Sequence, residues 1–259
     1  MRKSQTKLTA CAAIASLLLL AGLAVGPLGW TEAAEGSAQS SSSQAVVVEL
    51  FTSQGCSSCP PADAFLTELA REPGVIALSL HVDYWNYIGW TDPFSSPVMT
   101  ARQQDYAHSL SSRYVYTPQM VIDGQHEVVG SRRSDARSLI AAAAARPKPL
   151  TLRYQDDASG DAVVIPAGDA PAEPASIWLA VYDAAHETEV LRGENKGKSL
   201  RHSNVVRELE HIGNWDGRET VIPIDTEALA ARGRDGCAVI VQAGKGGPVL
   251  GAIALDMDD

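Results

Sequence analysis

Apolar positions along the chain fall into two regimes. Up to about residue 146 they alternate between short solid runs and helical spacing, and beyond it they come as brief alternating segments broken by Gly, Pro and Asp. In Val46 to Phe51 every residue but Glu49 is apolar, the pattern of a strand covered on both faces in an α/β sheet, with Glu49 an acid inside a covered layer. Phe65, Leu66, Leu69 and Ala70 recur at helical spacing until Glu72-Pro73-Gly74 stops them. Val75 to Val82 reads as the next strand, and a strand, helix, strand unit of this size implies right-handed parallel pairing. Met99 to Ser109 reads as a helix with Arg102, Gln103 and Gln104 on its polar face. Tyr116 to Gly124 opens with X-Pro and ends in Asp-Gly, predicting a hairpin whose second arm is His126 to Val129. Ser134 to Ala145 follows as a helix.

Arg146-Pro147-Lys148-Pro149 breaks that helix and reads as a boundary. The segments beyond it, Leu150 to Tyr154, Ala162 to Ile165, Ile177 to Tyr182, Val221 to Ile224 and Cys237 to Gln242, predict short antiparallel strands. The expected architecture is therefore an α/β domain over 45–146 with an inserted helical and aromatic segment, then a smaller, sandwich-like antiparallel β domain over 147–259.

At 259 residues and 45% hydrophobic content the chain can bury one large core or two ordinary ones. Its first residues do not belong to that core. Arg2, Lys3 and Lys7 precede the apolar run Leu8 to Gly26, and small residues such as Ala33 and Ala34 follow, which is the order of a secretory signal peptide over 1–34. Left uncleaved, the run is just long enough to span a membrane. Leu8-Thr9-Ala10-Cys11 looks like a lipidation box, but its cysteine opens the apolar run where a lipid-carrying cysteine should follow it. Residues 35–44, EGSAQSSSSQ, form a Ser-rich tether. The expectation is an exported protein, periplasmic or secreted, without a membrane span once the leader is gone. Loss of the leader leaves 18 basic and 30 acidic residues, a formal charge of −12. Such a chain has no general attraction to phosphate backbones, so nucleic acid is not expected as a partner.

Four cysteines become three without Cys11: the pair Cys56 and Cys59 and a lone Cys237, whose place in an apolar strand predicts a buried inert thiol. Cys56-Ser57-Ser58-Cys59 sits where the first strand gives way to the first helix. Two thiols at that spacing can close into a small disulfide ring and reopen, and a helix end beside them can lower a thiol pKa enough to supply thiolate. Pro60 and Pro61 imply that the helix starts nearer Ser58 than Cys56. Asp83 to Pro97 holds Tyr84, Trp85, Tyr87, Trp90 and Phe94, a third of the chain's aromatic residues, which either wall a cleft or close a satellite core under a long loop. Arg192 to Lys198, with Arg201, His202 and Arg207, reads as a solvated hairpin tip or as a dock for something anionic.

Strand, CxxC, helix, then an X-Pro before a β-hairpin and a final helix, resembles the thioredoxin superfamily. More narrowly, FTSQGCSSCPPAD, HVDYWNYIGWTDPF, YTPQMVIDG and RGENKGKSLRHSNVVR resemble a family of exported bacterial proteins known only as a domain of unknown function with a thioredoxin-like N-terminal region. The resemblance implies that Cys56 is an exposed nucleophile and that Cys59 resolves the mixed disulfide. It implies that Thr117-Pro118 is a cis-proline loop holding substrate backbone. Glu49, near the position of a buried acid, would take or relay the proton of Cys59. The Ser57-Ser58 dipeptide departs from the best-known members and leaves the direction of electron flow open. The implied activity is thiol–disulfide exchange with a protein or small-molecule thiol or disulfide and with a redox partner, needing no cofactor and no metal. Two other readings stay open: a binding module with a static disulfide, and copper or zinc handling if His81, His108 or His126 converges on the cysteine pair. The bland reading of His81 is a hydrogen-bonded core histidine.

Overall fold

The computed structural model describes residues 44–157 and 160–257. The expected leader, Cys11 with it, and all of the expected tether but Gln44 lie outside them. Val46–Thr52 (β1) is buried along its whole length, as its solid apolar run requires. It leads through the cysteine turn to Pro60–Leu69 (α1), whose Ala62, Phe65, Leu66 and Leu69 are buried. Val75–His81 (β2) then pairs with β1 in parallel, from Val46↔Val75 to Thr52↔His81. A 3-10 turn at Asn86–Ile88 and the helix Pro97–Ser109 (α2), N-capped by Ser96, follow. Gln119–Ile122 (β3) runs antiparallel to β1 and turns into His126–Val129 (β4). Asp123 and Gly124, at φ 49° and 64°, are both left-handed, as a tight hairpin turn prefers. At Gly124 a Cβ would lie 2.1 Å from Gly247 O, so no side chain fits. Arg133–Ala144 (α3) closes the first half.

β1 sorts its side chains by alternation. Val46, Val48 and Leu50 pack with α1 and α3 on one face, whereas Val47 and Phe51 pack with Met99 and Tyr106 of α2 on the other.

The second half contains Arg153–Asp157 (β5), Gly160–Ile165 (β6), the long hairpin Ala175–Glu189 (β7) and Ser199–Trp215 (β8), Thr220–Pro223 (β9), a short helix Thr226–Ala231 (α4), Gly236–Gln242 (β10) and Val249–Asp256 (β11). The boundary expected at 146–149 ends α3 but does not end the sheet. β8 lies beside β2 in parallel through Ser79↔Val205, with Asn204 Nδ2 donating to Ala77 O at 2.9 Å. The result is one eight-stranded mixed sheet in the order β11-β10-β7-β8-β2-β1-β3-β4. Lys148, in the middle of the expected boundary, makes a buried ion pair with Asp123 at 2.8 Å. The separate second domain over 147–259 is therefore corrected: the described residues form one compact unit. The physical reason is that β2 would otherwise be an open edge, and β8 covers it.

β5, β6 and β9 form a three-stranded sheet in the order β5-β6-β9. Its Val163 and Ile165 pack with Leu152, Trp215, Val239 and Ile253, filling the layer between the two sheets. Cys237 lies in that layer as a free buried thiol, pushed up to about 12 by burial with Asp256 nearby. The architecture is mixed α/β, and among the described residues no helix is long and apolar enough to cross a membrane.

Candidate active site

Cys56 and Cys59 are joined in a disulfide just beyond the carboxyl end of β1. Cys56 N donates to Ser53 O at 3.0 Å and Cys59 N to Cys56 O at 3.2 Å, a turn that brings the two sulfurs together. Cys59 is the N-cap of α1, its carbonyl accepting from Ala62 N and Asp63 N at 2.8 and 3.1 Å. Pro60 and Pro61 take the first helical positions, where missing amide protons cost nothing. The positive end of the helix dipole therefore acts on Cys59 more directly than on Cys56.

The exposed nucleophile expected at Cys56 is corrected. Cys56 is 1% exposed and Cys59 fully buried, while Ser57 and Ser58 between them face solvent. Ser58 Oγ stands 3.4 Å from Cys56 Sγ. Two segments account for the burial. The first is the aromatic loop after β2: a Cβ placed on Gly55 would lie 3.1 Å from Trp85 Cβ, and Trp90 Nε1 donates to Gln54 Oε1 at 3.0 Å. The second is the tip of the β7–β8 hairpin, where the fully buried Asn195 donates its amide to Gln54 O and Cys56 O, both at 2.9 Å. Lys198 Nζ fixes that amide's orientation by donating to Asn195 Oδ1 at 2.9 Å. The tip expected to be solvated at 192–198 is exposed at Arg192, Glu194 and Lys196, while Asn195 turns inward as a clamp on the cysteine turn.

The Thr117–Pro118 bond is cis. Trp85 Nε1 donates to Thr117 Oγ1 at 2.7 Å, so one tryptophan, its Cβ against Gly55 and its indole on Thr117, bridges the cysteine turn and the proline loop. A Cβ on Gly130 would meet both Ala62 Cβ and Pro118 Cβ, at 3.0 and 3.4 Å, which sets Pro118 beside the first turn of α1. The aromatic loop therefore both packs and walls the site.

Glu49 does not join it. By alternation along β1 it points to the α2 face, away from α1. There Arg102 clasps it through Nε and Nη2, the latter at 3.0 Å, and the Tyr106 hydroxyl donates to its Oε2. Gln242 Nε2 donates to Tyr106 Oη at 3.0 Å. Burial pushes the Tyr106 phenol far up, and although burial opposes charge on Arg102, Glu49 holds the guanidinium protonated. The proton-relay role expected of Glu49 is corrected: its carboxylate is committed to a bonded ion pair on the opposite face.

Five residues that sequence reasoning did not group stand on the cysteine side. Thr52 Oγ1 donates to Asp63 Oδ1 at 2.7 Å, His202 Nδ1 lies 3.7 Å from the same oxygen, and the His202 ring meets that of His81 edge-on with centroids 4.6 Å apart. His81 Nδ1 pairs with Asp92 Oδ2 at 2.7 Å, and that oxygen also accepts from Gln54 N at 2.8 Å. Asp63, His202, His81 and Asp92 are all buried. Burial works to raise the Asp92 carboxyl, but His81 and the Gln54 and Phe94 amides outweigh it and hold the group below the usual carboxylate range. Burial lowers His202, and the Asp63 carboxylate more than reverses this, leaving the imidazole raised. His108 and His126 stay away, His126 lying against Arg146. Among the described residues no three His, Cys, Asp or Glu side chains gather to hold a metal.

Residues 47–242 match the model of a family described as "Protein of unknown function (DUF1223)". The chain belongs to that family. None of the curated proteins matches this DUF1223 chain. Among solved structures it is similar to protein AGR_C_4864 from Agrobacterium tumefaciens, at 31% identity and TM-score 0.71, over 82% of this chain and 94% of that one. It is also similar to HBP35 of Porphyromonas gingivalis, at 14% identity and TM-score 0.58, over 85% of this chain and 77% of the other, a likeness of fold alone.

Proposed function

We propose that this protein is a thiol–disulfide oxidoreductase of the cell envelope, working through Cys56 and Cys59. The observation that carries the reading is the disulfide itself, held between the end of a buried strand and the cap of α1, with the Thr117–Pro118 loop at its side. The strand order β2-β1-β3-β4 around it, parallel then antiparallel, supports a thioredoxin-like unit, and the layer of β5, β6 and β9 over β7, β10 and β11 supports a sandwich-like second half fused to it. A substrate thiolate attacks Cys56 Sγ, the Cys56–Cys59 bond breaks, a mixed disulfide forms, and Cys59 leaves with the electron pair. A second substrate thiolate then attacks the substrate sulfur of that mixed disulfide and releases Cys56, so that a substrate dithiol becomes a disulfide and the protein a dithiol. Reduction of a substrate disulfide follows the same steps in reverse, with Cys59 resolving. Cys56 takes the attack because it borders the exposed Ser57 and Ser58, whereas Cys59 is sealed at the helix cap. The clamp at Asn195 and Trp85 must yield for the substrate sulfur to reach it.

The near-complete burial of both sulfurs favours a second reading, a static disulfide that fastens the cysteine turn. Measurement of the midpoint potential of the folded protein separates the two, since a value below about −300 mV places the bond among structural disulfides. For an exchanging pair, Cys59→Ser accumulates mixed disulfides with a disulfide substrate, whose second sulfur leaves as thiolate, while Cys56→Ser does not. Equal trapping by both variants would overturn the assignment of roles.

A further inference from the structure

The reaction proposed above leaves Cys59 as a thiolate in a fully buried position, where an uncompensated negative charge is costly. Something close must supply a proton or a counter-charge, and Glu49 is committed elsewhere. Asp63 is four residues after Cys59 at the start of α1, a spacing that puts both on one helix face with Cβ atoms about 5–6 Å apart. It is buried, and its Oδ2 has no protein partner. His202, across from it on β8, is buried with neither ring nitrogen hydrogen-bonded, and the 3.7 Å from Nδ1 to Asp63 Oδ1 is an ion-pair distance, too long for a hydrogen bond. His81 Nε2 is also unpartnered. An orphaned buried polar atom is costly, and here several lie side by side around one acid and one base.

We infer that Asp63 and His202 form the counter-charge of the cysteine centre: the pair carries a proton in the disulfide state and keeps it against Cys59 Sγ as that sulfur leaves as thiolate. In the balance of the exchange, the S–S bond of Cys56–Cys59 breaks, the substrate–Cys56 bond forms, the electron pair goes to Cys59, and the new thiolate is held against the protonated pair with no proton transferred. In the reverse direction Cys59 attacks as the thiolate that the pair has held. The groups facing His202 are Asp63 of α1, His81 of β2 paired with Asp92 of the aromatic loop, and His186, its cross-strand partner on β7, with the Phe94 ring between His81 and His186. Burial alone would lower the His202 imidazole; its raised value follows from Asp63 and agrees with a proton already in place. Asp63 and His202 are positioning residues here, acting on the protonation of Cys59.

The inference rests on the exchange reading, but its test needs no substrate. The His202 ring is followed by NMR across pH in two proteins, the disulfide form and the Cys56→Ser variant, in which Cys59 is a free thiol. The expected result is a His202 midpoint at higher pH in Cys56→Ser, because a Cys59 thiolate holds the imidazolium; identical midpoints overturn the proposal. In the Cys56→Ser background, His202→Phe is expected to make Cys59 at least about tenfold less acid, read from thiolate ultraviolet absorbance, as removal of a neighbouring cation does. An unchanged Cys59 titration in the folded double variant also overturns it. Should that variant fail to fold, the NMR comparison decides alone. Failure of the exchange reading would appear elsewhere, as the absence of trapped mixed disulfides in Cys59→Ser.

Discussion

Two groups of buried polar residues flank β1, one on each face, and they differ in how completely they are bonded. On the α2 face, Glu49, Arg102, Tyr106 and Gln242 form a closed set in which each side chain is partnered by another. On the α1 side, Thr52, Asp63, His202, His81, Asp92 and Gln54 form an open chain in which Asp63 Oδ2, both His202 nitrogens, His81 Nε2 and Gln54 Nε2 have no protein partner. Folding alone accounts for the closed set, since a satisfied buried network holds elements in register. It does not account for the open one, which carries a polar cost directly behind a disulfide. Two buried carboxylates on neighbouring elements thus have different work: Glu49 ties α2 to β1, and Asp63 holds a charged His202 behind the disulfide.

The sharpest way to break this contrast is to cut the closed set. Arg102→Met leaves Glu49 buried without its cation, and the expected cost is about 3–5 kcal/mol in denaturant unfolding at neutral pH. Adding Glu49→Leu to the same protein should restore much of that loss, because the uncompensated charge goes with it. A cost under about 1 kcal/mol for Arg102→Met alone would mean that the network is not holding the sheet to α2, and the distinction between the two acids would lapse.

Asn195→Ala tests how the open chain is kept covered. The substitution strips two hydrogen bonds from the carbonyls of Gln54 and Cys56, which are buried. The expected loss is about 1–3 kcal/mol. The more telling readout is the rate at which dithiothreitol reduces Cys56–Cys59 in the folded protein, which should rise when the clamp loosens. An unchanged rate would show that the hairpin tip does not control access to the sulfurs.

What the sequence made legible was whatever depends on neighbours along the chain. The apolar run of β1, the helical spacing of α1, the Asp-Gly turn between β3 and β4 and the cysteine pair at the mouth of α1 are all local patterns, and each is found close to where it was expected. Thr117 accepts from Trp85 of the aromatic loop, and Pro118 lies beside the first turn of α1. Relations between distant segments were not legible. Arg102 and Gln103 read as part of the polar face of α2, yet they are 5% and 0% exposed, because a polar face at helical spacing looks the same whether it meets water or a buried acid. The spacing of Arg102 and Tyr106, one helical turn apart, was the available hint. β8 escaped because Arg201, Arg207, Glu208 and Glu210 interrupt its apolar positions and Asn204, at φ 48°, breaks the two-residue period. With β8 unread, His202 could not be set against Asp63, nor Asn195 against Cys56.

The smallest expected effect sharpens the comparison most, because it separates bonding from titration. His202→Phe removes two ring nitrogens that make no hydrogen bond, one of them at ion-pair distance from Asp63, and keeps a ring of similar shape against His81 and Phe94. Near pH 8 the stability change should stay within about 1 kcal/mol, in contrast to Arg102→Met. The change should depend on pH with a definite sign. His202 has its folded pKa raised above the ordinary histidine value, so its contribution is fully present below that ordinary value, about 6.5, and is lost as pH rises through the folded one. His202→Phe should therefore be less stable than the parent at pH 5.5 to 6, with the gap closing toward alkaline pH, measured as denaturant midpoints at matched ionic strength. A gap that stayed constant across that range would make His202 a packing residue, and the open chain behind the disulfide would then be structural like its counterpart across β1.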